Sequence, residues 1–242
     1  RKNNREFSNP NVFFSQKNAV TGLVFQSNSM DTIHTSSLTH EIESYGGRDD
    51  LLKFIKFRFM ELRISGVWIN RDVVGPENKE EFIYMKLKKE DGRNSDYDKI
   101  FADKINFKEY LDGLSTFGKF LRFAMDFRSK YGFKLQFSVK IIDGTEYIYL
   151  QLKDACEFMS RKDYTDNWSS EMNETFCFWS YSEWKDNMRK AGFKIDSRSN
   201  AYCNQWIVEN RFLGKVELYC QYGVGLEKMD YPATNMLLIA EK

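Results

Sequence analysis

MDTIHTSSLTHE, residues 30–41, contains both histidines of the chain. The alternation around Ile33 predicts a β-strand, and polar residues take over where that strand would end. His40 is followed directly by Glu41, and a carboxylate beside an imidazole can orient it as a general base. The same pair is also compatible with a helix start at which both side chains bond locally. The segment therefore predicts a strand that leads into a loop with a candidate catalytic pair.

The segments around this strand predict a parallel α/β sheet. Residues 11–17 are expected to form an earlier strand, residues 49–62 a helix with apolar side chains at helical spacing, and residues 67–74 a β-branched strand. Strand, strand, helix, strand is the order of a parallel sheet, whose ligands bind beyond the carboxyl ends of the strands. We therefore expect Arg71 and Asp72 to line the ligand side of the sheet, although they could instead form a local salt bridge.

The composition suits a globular protein and excludes several functional classes. The 242 residues include 36 basic and 35 acidic side chains, so the net charge of +1 gives no electrostatic argument for nucleic acid or an anionic membrane. No apolar run is long enough to span a bilayer. The two histidines and four cysteines match no metal-ligand spacing, so no metal site is predicted. Free thiols suit a reducing compartment, either the cytoplasm or one such as the mitochondrial matrix.

The remaining segments divide the chain into four regions. Residues 76–179 contain an amphipathic helix (115–132) and a hairpin signal around Asp143-Gly144. Ser180 and Glu183 have the spacing of a capping box at the start of a later helix. The expected regions are a polar tail (1–10), the central strands and helix of the sheet (11–75), an insertion with a helix, a hairpin and a lid (76–179), and a C-terminal helix and strand pair (180–242).

The end of the insertion concentrates aromatic and acidic side chains. Aromatic rings beside carboxylates suit a lid that binds a polar or cationic substrate, although a surface loop with buried tryptophans has the same composition. The candidate substrate-binding residues are Arg71 and Asp72 together with Tyr164, Asp166, Trp168, Glu171, Glu174 and Trp206.

Five pieces of the sequence resemble, in order, the second half of class I S-adenosylmethionine-dependent methyltransferases. They are KNA (17–19), MDTIHTSSLTHE (30–41), GVWINRDVV (66–74), EWKDNMRKAGFKI (183–195) and TNMLLIAEK (234–242). The resemblance implies an α/β fold with a Rossmann-like methyltransferase sheet, represented by its C-terminal half, from the third to the seventh strand. It also implies that the chain ends in an antiparallel strand pair, and that residues 76–179 are an insertion.

The resemblance also implies a cofactor, S-adenosylmethionine, and places residues around it. Asn18 and Ala19 would lie by the adenine, and Ser36 and Ser37 under the methionine part. His40 and Glu41 would form a wall of the same cleft and are the candidate catalytic pair.

The first strand of the family, its glycine-rich turn and its ribose-binding acid have no counterpart in this sequence. The chain begins at Arg1, and we expect the missing half to lie upstream or on a partner protein chain, without which the cofactor is not bound in the usual way. The expected function is then methyl transfer to an unidentified acceptor. A catalytically inactive methyltransferase-like subunit of a larger assembly is the alternative. An RNA-modifying assembly is a third interpretation, and the neutral charge does not favour it.

Overall fold

The computed structural model describes residues 15–242. The predicted polar tail and residues 11–14 of the first predicted strand lie outside the described residues. Residues 15–18 have no regular secondary structure, so the strand predicted up to Lys17 is wrong in its described part. Residues 15–17 pair with no described strand, and directly after them the side-chain oxygen of Asn18 accepts the N–H of Val20 (2.9 Å) and turns the chain.

Ten strands occur among the described residues. They are β1 (Met30–Ser36), β2 (Leu62–Val73), β3 (Phe82–Leu87), β4 (Phe137–Ile142), β5 (Thr145–Gln151), β6 (Lys194–Ile195), β7 (Asn200–Tyr202), β8 (Val216–Tyr222), β9 (Gly225–Met229) and β10 (Asn235–Glu241).

The helices of residues 15–242 are mostly short. They are α1 (Thr39–Gly46), α2 (Arg48–Glu61), α3 (Lys104–Asp112), α4 (Thr116–Asp126), α5 (Leu152–Arg161), α6 (Trp168–Glu171), α7 (Tyr181–Lys190) and α8 (Gln205–Ile207), which continues as a π-helical turn (Val208–Phe212). Two 3-10 turns, Ser129–Tyr131 and Thr165–Asn167, complete the set. No described helix is both long and apolar enough to cross a membrane.

The first sheet has the strand order β1-β2-β10-β6, with β7 also paired to β10. β1 and β2 are parallel, as the sequence predicts, and α2 is the helix predicted over residues 49–62. α1 lies where the sequence predicts a loop after the strand, so His40 and Glu41 are in a helix. β10 runs antiparallel to both β2 and β6. The expected antiparallel strand pair at the end of the chain is therefore present, formed by β6 and β10.

One face of this sheet forms the first hydrophobic core. Trp68 of β2 is fully buried there, where its ring packs against Phe54 of α2 and Phe193. Trp184 and Met188 of α7 close the same core. The capping box that begins α7 is confirmed, because Ser180 and Glu183 each bond the other's backbone N–H.

The second sheet is antiparallel, with the order β4-β5-β3-β8-β9. The predicted hairpin is its β4–β5 pair, joined by Asp143 and Gly144, both with positive φ as a type I′ turn requires. The predicted helix 115–132 corresponds to α4, which ends at Asp126.

The second sheet is larger than the predicted insertion, because β8 and β9 belong to it. β8 pairs with β3, so that Tyr219 lies opposite Tyr84. Val216 and Leu218 of β8 are buried in the second hydrophobic core, which explains why this segment leaves the first sheet. The segment predicted as one C-terminal unit, 180–242, is thus divided between the two sheets.

Candidate functional site

The carboxyl ends of β1 and β2 meet at one rim of the first sheet, because the two strands are parallel and in register. Ser36 of β1 lies opposite Arg71 of β2. Ser37 follows with a left-handed backbone (φ 51°) and donates its N–H to the carbonyl of Arg71 (2.9 Å). This turn ends β1 and leads into α1, which carries His40. The rim is the place where ligands of parallel α/β sheets bind.

Asp72, at the end of β2, organises the beginning of α1. Its Oδ2 accepts the N–H of Thr39 (2.7 Å), the hydroxyl of Thr39 (2.6 Å) and the N–H of Leu38 (3.2 Å). These are the backbone donors that a helix start leaves without internal partners, and a negative charge is favoured there. The side chain of Asp72 is fully buried. The predicted local salt bridge with Arg71 is not formed, because neighbouring residues of a strand face opposite sides of the sheet.

His40 joins Asp72 to the far end of the insertion. Its Nδ1 lies 2.6 Å from Oδ1 of Asp72, and its Nε2 lies 3.6 Å from Oε2 of Glu174. Glu174 also accepts the hydroxyl of Tyr45 (3.1 Å), and the ring of Phe176 packs edge-on against the imidazole. We call the three residues Asp72, His40 and Glu174 the His40 bridge. It ties the segment before α7 to the rim of the first sheet.

The surroundings of His40 determine its protonation. Burial alone would lower its pKa, but hydrogen bonds and charges from Asp72 and Glu174 outweigh burial and raise the pKa to about 10. The same imidazolium holds the pKa of the Asp72 carboxyl below its usual value, against the opposite effect of burial. At neutral pH the imidazole is therefore a cation with both nitrogens protonated, and it has no lone pair with which to accept a proton.

The prediction that Glu41 orients the His40 ring is wrong, because Asp72 and Glu174 contact that ring instead. Glu41 is exposed on the first turn of α1, and the carboxylates that contact the imidazole come from residues 32 and 134 positions further along the chain. Adjacent residues of a helix point about 100° apart, so one cannot orient the other's ring as well as a partner facing it.

A cavity of about 280 Å³ opens at the rim beside the His40 bridge. The first sheet contributes residues at the ends of β1 and β2 and at the start of β10, namely Ser37, Arg71, Val73, Thr234 and Asn235. The remaining walls come from α5, the segment after it and the α8 region, namely Ser160, Tyr164, Phe176, Asn204, Ile207, Arg211 and Phe212.

Two of the predicted substrate-binding residues, Arg71 and Tyr164, meet in this cavity although 93 positions separate them in the sequence. Trp206 is not among the residues that line the cavity; it is largely exposed, and the guanidinium of Arg211 lies 5.6 Å from its ring centroid. The same guanidinium lies 4.7 Å from the ring of Tyr164. The predicted lid and the α8 region thus come together around one arginine.

Other predicted substrate-binding residues lie elsewhere. Trp168 is buried in the second core and donates its indole N–H to Asp126 (2.8 Å), so it stabilises the lid from inside. Asp166 is exposed beside Lys108 (3.7 Å). Glu171 is half-buried, and burial together with the charge of Glu174 raises its pKa. None of the three lines the cavity.

The predicted cofactor residues fall into two separate groups. Ser36 and Ser37 are at the rim, where the hydroxyl of Ser36 lies 3.5 Å from the guanidinium of Arg71. Asn18 and Ala19 belong to a segment tied to the opposite end of the sheet. There Lys17 contacts the carbonyl of Val24 (2.6 Å), whose N–H in turn bonds Glu61, the residue before β2. No hydrogen bond among the described residues joins Asn18 to the two serines.

Sequence reasoning missed several cavity residues, among them Ser160, Asn204 and Asn235. Asn204 is the N-cap of α8, and its side chain accepts the N–H of Trp206 (3.0 Å), so a capping signal marks this position but not its cavity. Asn235 lies in the final TNM motif, at the start of β10. Only the antiparallel insertion of β10 beside β2 brings that start to the rim.

No protein-family model and no curated protein matches this chain. Solved methyltransferases resemble it in structure. One is an S-adenosylmethionine-dependent methyltransferase from Mesorhizobium loti, with 9% identity and a TM-score of 0.42 over 94% of this chain and 68% of that one. Another comes from Methanosarcina mazei, with 12% identity and a TM-score of 0.37 over 93% and 65%. A third, from Thermotoga maritima, is described as a possible histamine N-methyltransferase, with 13% identity and a TM-score of 0.39 over 96% and 64%.

All three of these solved structures are described as S-adenosylmethionine-dependent methyltransferases. The chain spans about two thirds of the length of these neighbours. The strand order and strand directions of the chain itself define its fold.

Proposed function

We propose that this chain is the C-terminal portion of an S-adenosylmethionine-dependent methyltransferase, and that its rim cavity receives the methyl acceptor. The observation that carries the proposal is the first sheet. Parallel strands β1 and β2 deliver polar ends to one rim, and β10 follows antiparallel, as the family resemblance implies for the end of the chain. A cavity lies at that rim, where ligands of such sheets bind.

The proposal includes a partner, either an upstream segment or a second chain, that completes the sheet. β1 pairs with β2 on one side, and no described residue forms a strand along its other edge. The N–H of Ser37 points towards β2, and successive N–H groups of a strand alternate in direction. The N–H groups of Ser36 and His34 therefore face the open edge. An open edge of a parallel sheet is unusual, because such sheets are normally buried.

The face of the sheet opposite the first core supports the same partner. Val67 and Ile69 of β2 and Leu237 and Ile239 of β10 share this face, with Ile69 directly opposite Ile239. All four are only partly buried, and neither hydrophobic core of the described residues includes them. A central aliphatic patch on an uncovered sheet face, continuous with an open edge, suits a partner that adds both strands and covering helices. We propose that this partner carries the glycine-rich turn and the ribose-binding acid that the family uses.

The residues of this chain fit one wall of a cofactor site. Ser36 and Ser37 offer hydroxyls at the strand end that borders the open edge. Among the described residues, no cradle of backbone N–H groups or acid for the ribose hydroxyls accompanies them, so the other wall is assigned to the partner. S-adenosylmethionine, when bound, supplies an electrophilic methyl group, and the contribution of this chain is to hold the acceptor in line with it. Alignment of that kind provides much of the acceleration of a two-substrate reaction.

The His40 bridge has a positioning role in this proposal. It fixes the beginning of α1 to the end of β2, and it fixes the segment that carries Phe176, which lines the cavity. Since the imidazole is already protonated at neutral pH, a proton leaving the acceptor would go to solvent or to another group.

The test is calorimetry with S-adenosylmethionine on the complete assembly, isolated by a tag on this chain from its native source. We expect one cofactor molecule per assembly and no measurable binding by this chain alone. Ile239→Lys, on the uncovered face, should prevent assembly, whereas Ile105→Lys, at an exposed position of α3, should not. An assembly that forms but does not bind the cofactor contradicts the enzyme and favours a catalytically inactive methyltransferase-like subunit.

A further inference from the structure

The rim cavity contains two arginines, Arg71 and Arg211, for which residues 15–242 supply no carboxylate partner. Arg71 is exposed at the end of β2, and its guanidinium donates a long hydrogen bond to the hydroxyl of Ser36 (3.5 Å). Its neighbour Asp72 is turned to the opposite face of the sheet, where His40 and the start of α1 already use both of its oxygens. The charge of Arg71 is therefore directed to the cavity without compensation from Asp72.

Arg211 lines the cavity from the α8 region, and its guanidinium packs on two aromatic rings. Its guanidinium lies 4.7 Å from the ring of Tyr164 and 5.6 Å from that of Trp206. No acidic side chain among residues 15–242 forms an ion pair with it; Glu209, the nearest in sequence, accepts from Gln205 instead (2.9 Å). A guanidinium packed on aromatic rings keeps its N–H edge available, and that edge matches the geometry of a carboxylate or phosphate.

The two asparagines of the cavity are also set to donate. The side-chain oxygen of Asn204 accepts the N–H of Trp206, and that of Asn235 accepts the hydroxyl of Thr234 (2.9 Å). These contacts use the amide oxygens, so the NH₂ group of each asparagine remains available as a donor. No aspartate or glutamate of the described part of the chain lines the cavity. Two guanidinium groups and two amide NH₂ groups around about 280 Å³ form a site that supplies donors and positive charge.

We propose that this cavity binds the carboxylate or phosphate group of a small anionic acceptor, with Arg71 and Arg211 as its charged contacts. The proposal rests on the proposed function, because it names the chemical class of the substrate of the same site. The cofactor also has a carboxylate, but β2 and β10 supply most of the first-sheet residues of the cavity. Ser37 alone comes from the β1 side, where the open edge lies and where the cofactor site is completed. The anion is therefore assigned to the acceptor.

The experiment measures anion binding directly on this chain, without methyl transfer. Inorganic phosphate and acetate are titrated at constant ionic strength, set with sodium chloride, and the arginine Nε–H signals are followed by NMR. We expect saturable shifts for the signals of Arg71 and Arg211. Arg71→Gln and Arg211→Gln should each weaken binding about tenfold or more, since each removes one charge-assisted contact. Arg198→Gln is the matched control, because Arg198 is exposed and already paired with Asp196 (2.7 Å). Melting temperatures of all three variants show whether the fold is intact.

Three outcomes overturn the inference. The first is linear, unsaturable shifts with both anions, and the second is equal binding by the Arg71, Arg211 and Arg198 variants. The third is displacement of the bound anion by S-adenosylhomocysteine in the complete assembly, which would give the site to the cofactor's carboxylate. If the cavity does not bind anions, cofactor binding by the assembly is unaffected and the proposed function stands. If the assembly binds anions but no cofactor, only the proposed function is contradicted.

Discussion

Replacing His40 by leucine removes the cation between two buried carboxylates, and we expect a large loss of stability. The pKa of His40 rises from 6.5 to about 10 on folding, and a shift of this size corresponds to about 5 kcal/mol. Removing one partner of a buried ion pair ordinarily costs about 3–5 kcal/mol, because the other charge is left buried without compensation. We therefore expect His40→Leu to lower the free energy of unfolding by about 3–5 kcal/mol at pH 6.

The dependence of this loss on pH follows from the direction of the shift. Because the folded pKa is above the unfolded one, the stabilisation is complete below pH 6.5 and disappears as the pH rises through about 10. Between these values it declines by about 1.4 kcal/mol per pH unit. Burial lowers the pKa of Lys162 to about 8, and this group changes the stability in the opposite direction above that pH. Lys162 is present in both proteins, so the difference between wild type and variant isolates His40.

The assay is urea denaturation followed by tryptophan fluorescence, at several pH values from 6 to 10. His34→Leu is the control, because the other histidine is exposed on β1 and its replacement should change the stability by less than about 0.5 kcal/mol. The reasoning is refuted if His40→Leu costs no more than His34→Leu, or if the difference from wild type stays constant between pH 7 and pH 9.5.

Three further substitutions test how the framework around the site is built. Gly192→Ala should lower the free energy of unfolding by about 1–3 kcal/mol, because φ is +106° there and a Cβ would lie 2.8 Å from the ring of Phe59. Thermal unfolding of the variant measures this loss. Ser180→Ala should cost about 1 kcal/mol by removing the cap of α7, and helicity by circular dichroism should fall with it. Glu157→Gln should cost about 3 kcal/mol in urea, because that carboxylate accepts from buried Arg161 and from two backbone N–H groups; a change below 1 kcal/mol would contradict this assignment.

The local parts of the fold could be predicted from the sequence. Helical spacing predicted α2, the capping box predicted the start of α7, and the Asp143-Gly144 pair predicted the turn between β4 and β5. These features depend on residues a few positions apart, so their energies are set within one turn or one helix. Helical spacing does not decide which apolar side chains of α2 are buried, because Leu52 is exposed while Phe54 is buried against Trp68.

The candidate site could be predicted only in part. Arg71 and Tyr164, two of the predicted substrate-binding residues, lie in the cavity lining. Polar residues after a strand and aromatic residues in a long insertion are general signals, and their role in substrate binding stays a prediction. Trp168 carries the same signal but is buried in the second core. Composition describes which groups a segment has and not the direction in which they point.

The periodicities, caps and turns could be predicted from short stretches of sequence, and the order of the segments predicted that β1 and β2 run parallel. The partners of His40 could be identified only in the folded chain. A neighbouring glutamate was the obvious candidate, but Asp72 and Glu174 arrive from β2 and from the insertion. The tertiary structure also decided that β8 joins the second sheet and that Arg211 faces Arg71 across one cavity. Contacts between distant segments depend on how sheets and helices pack, and no pattern within a short window of sequence contains that information.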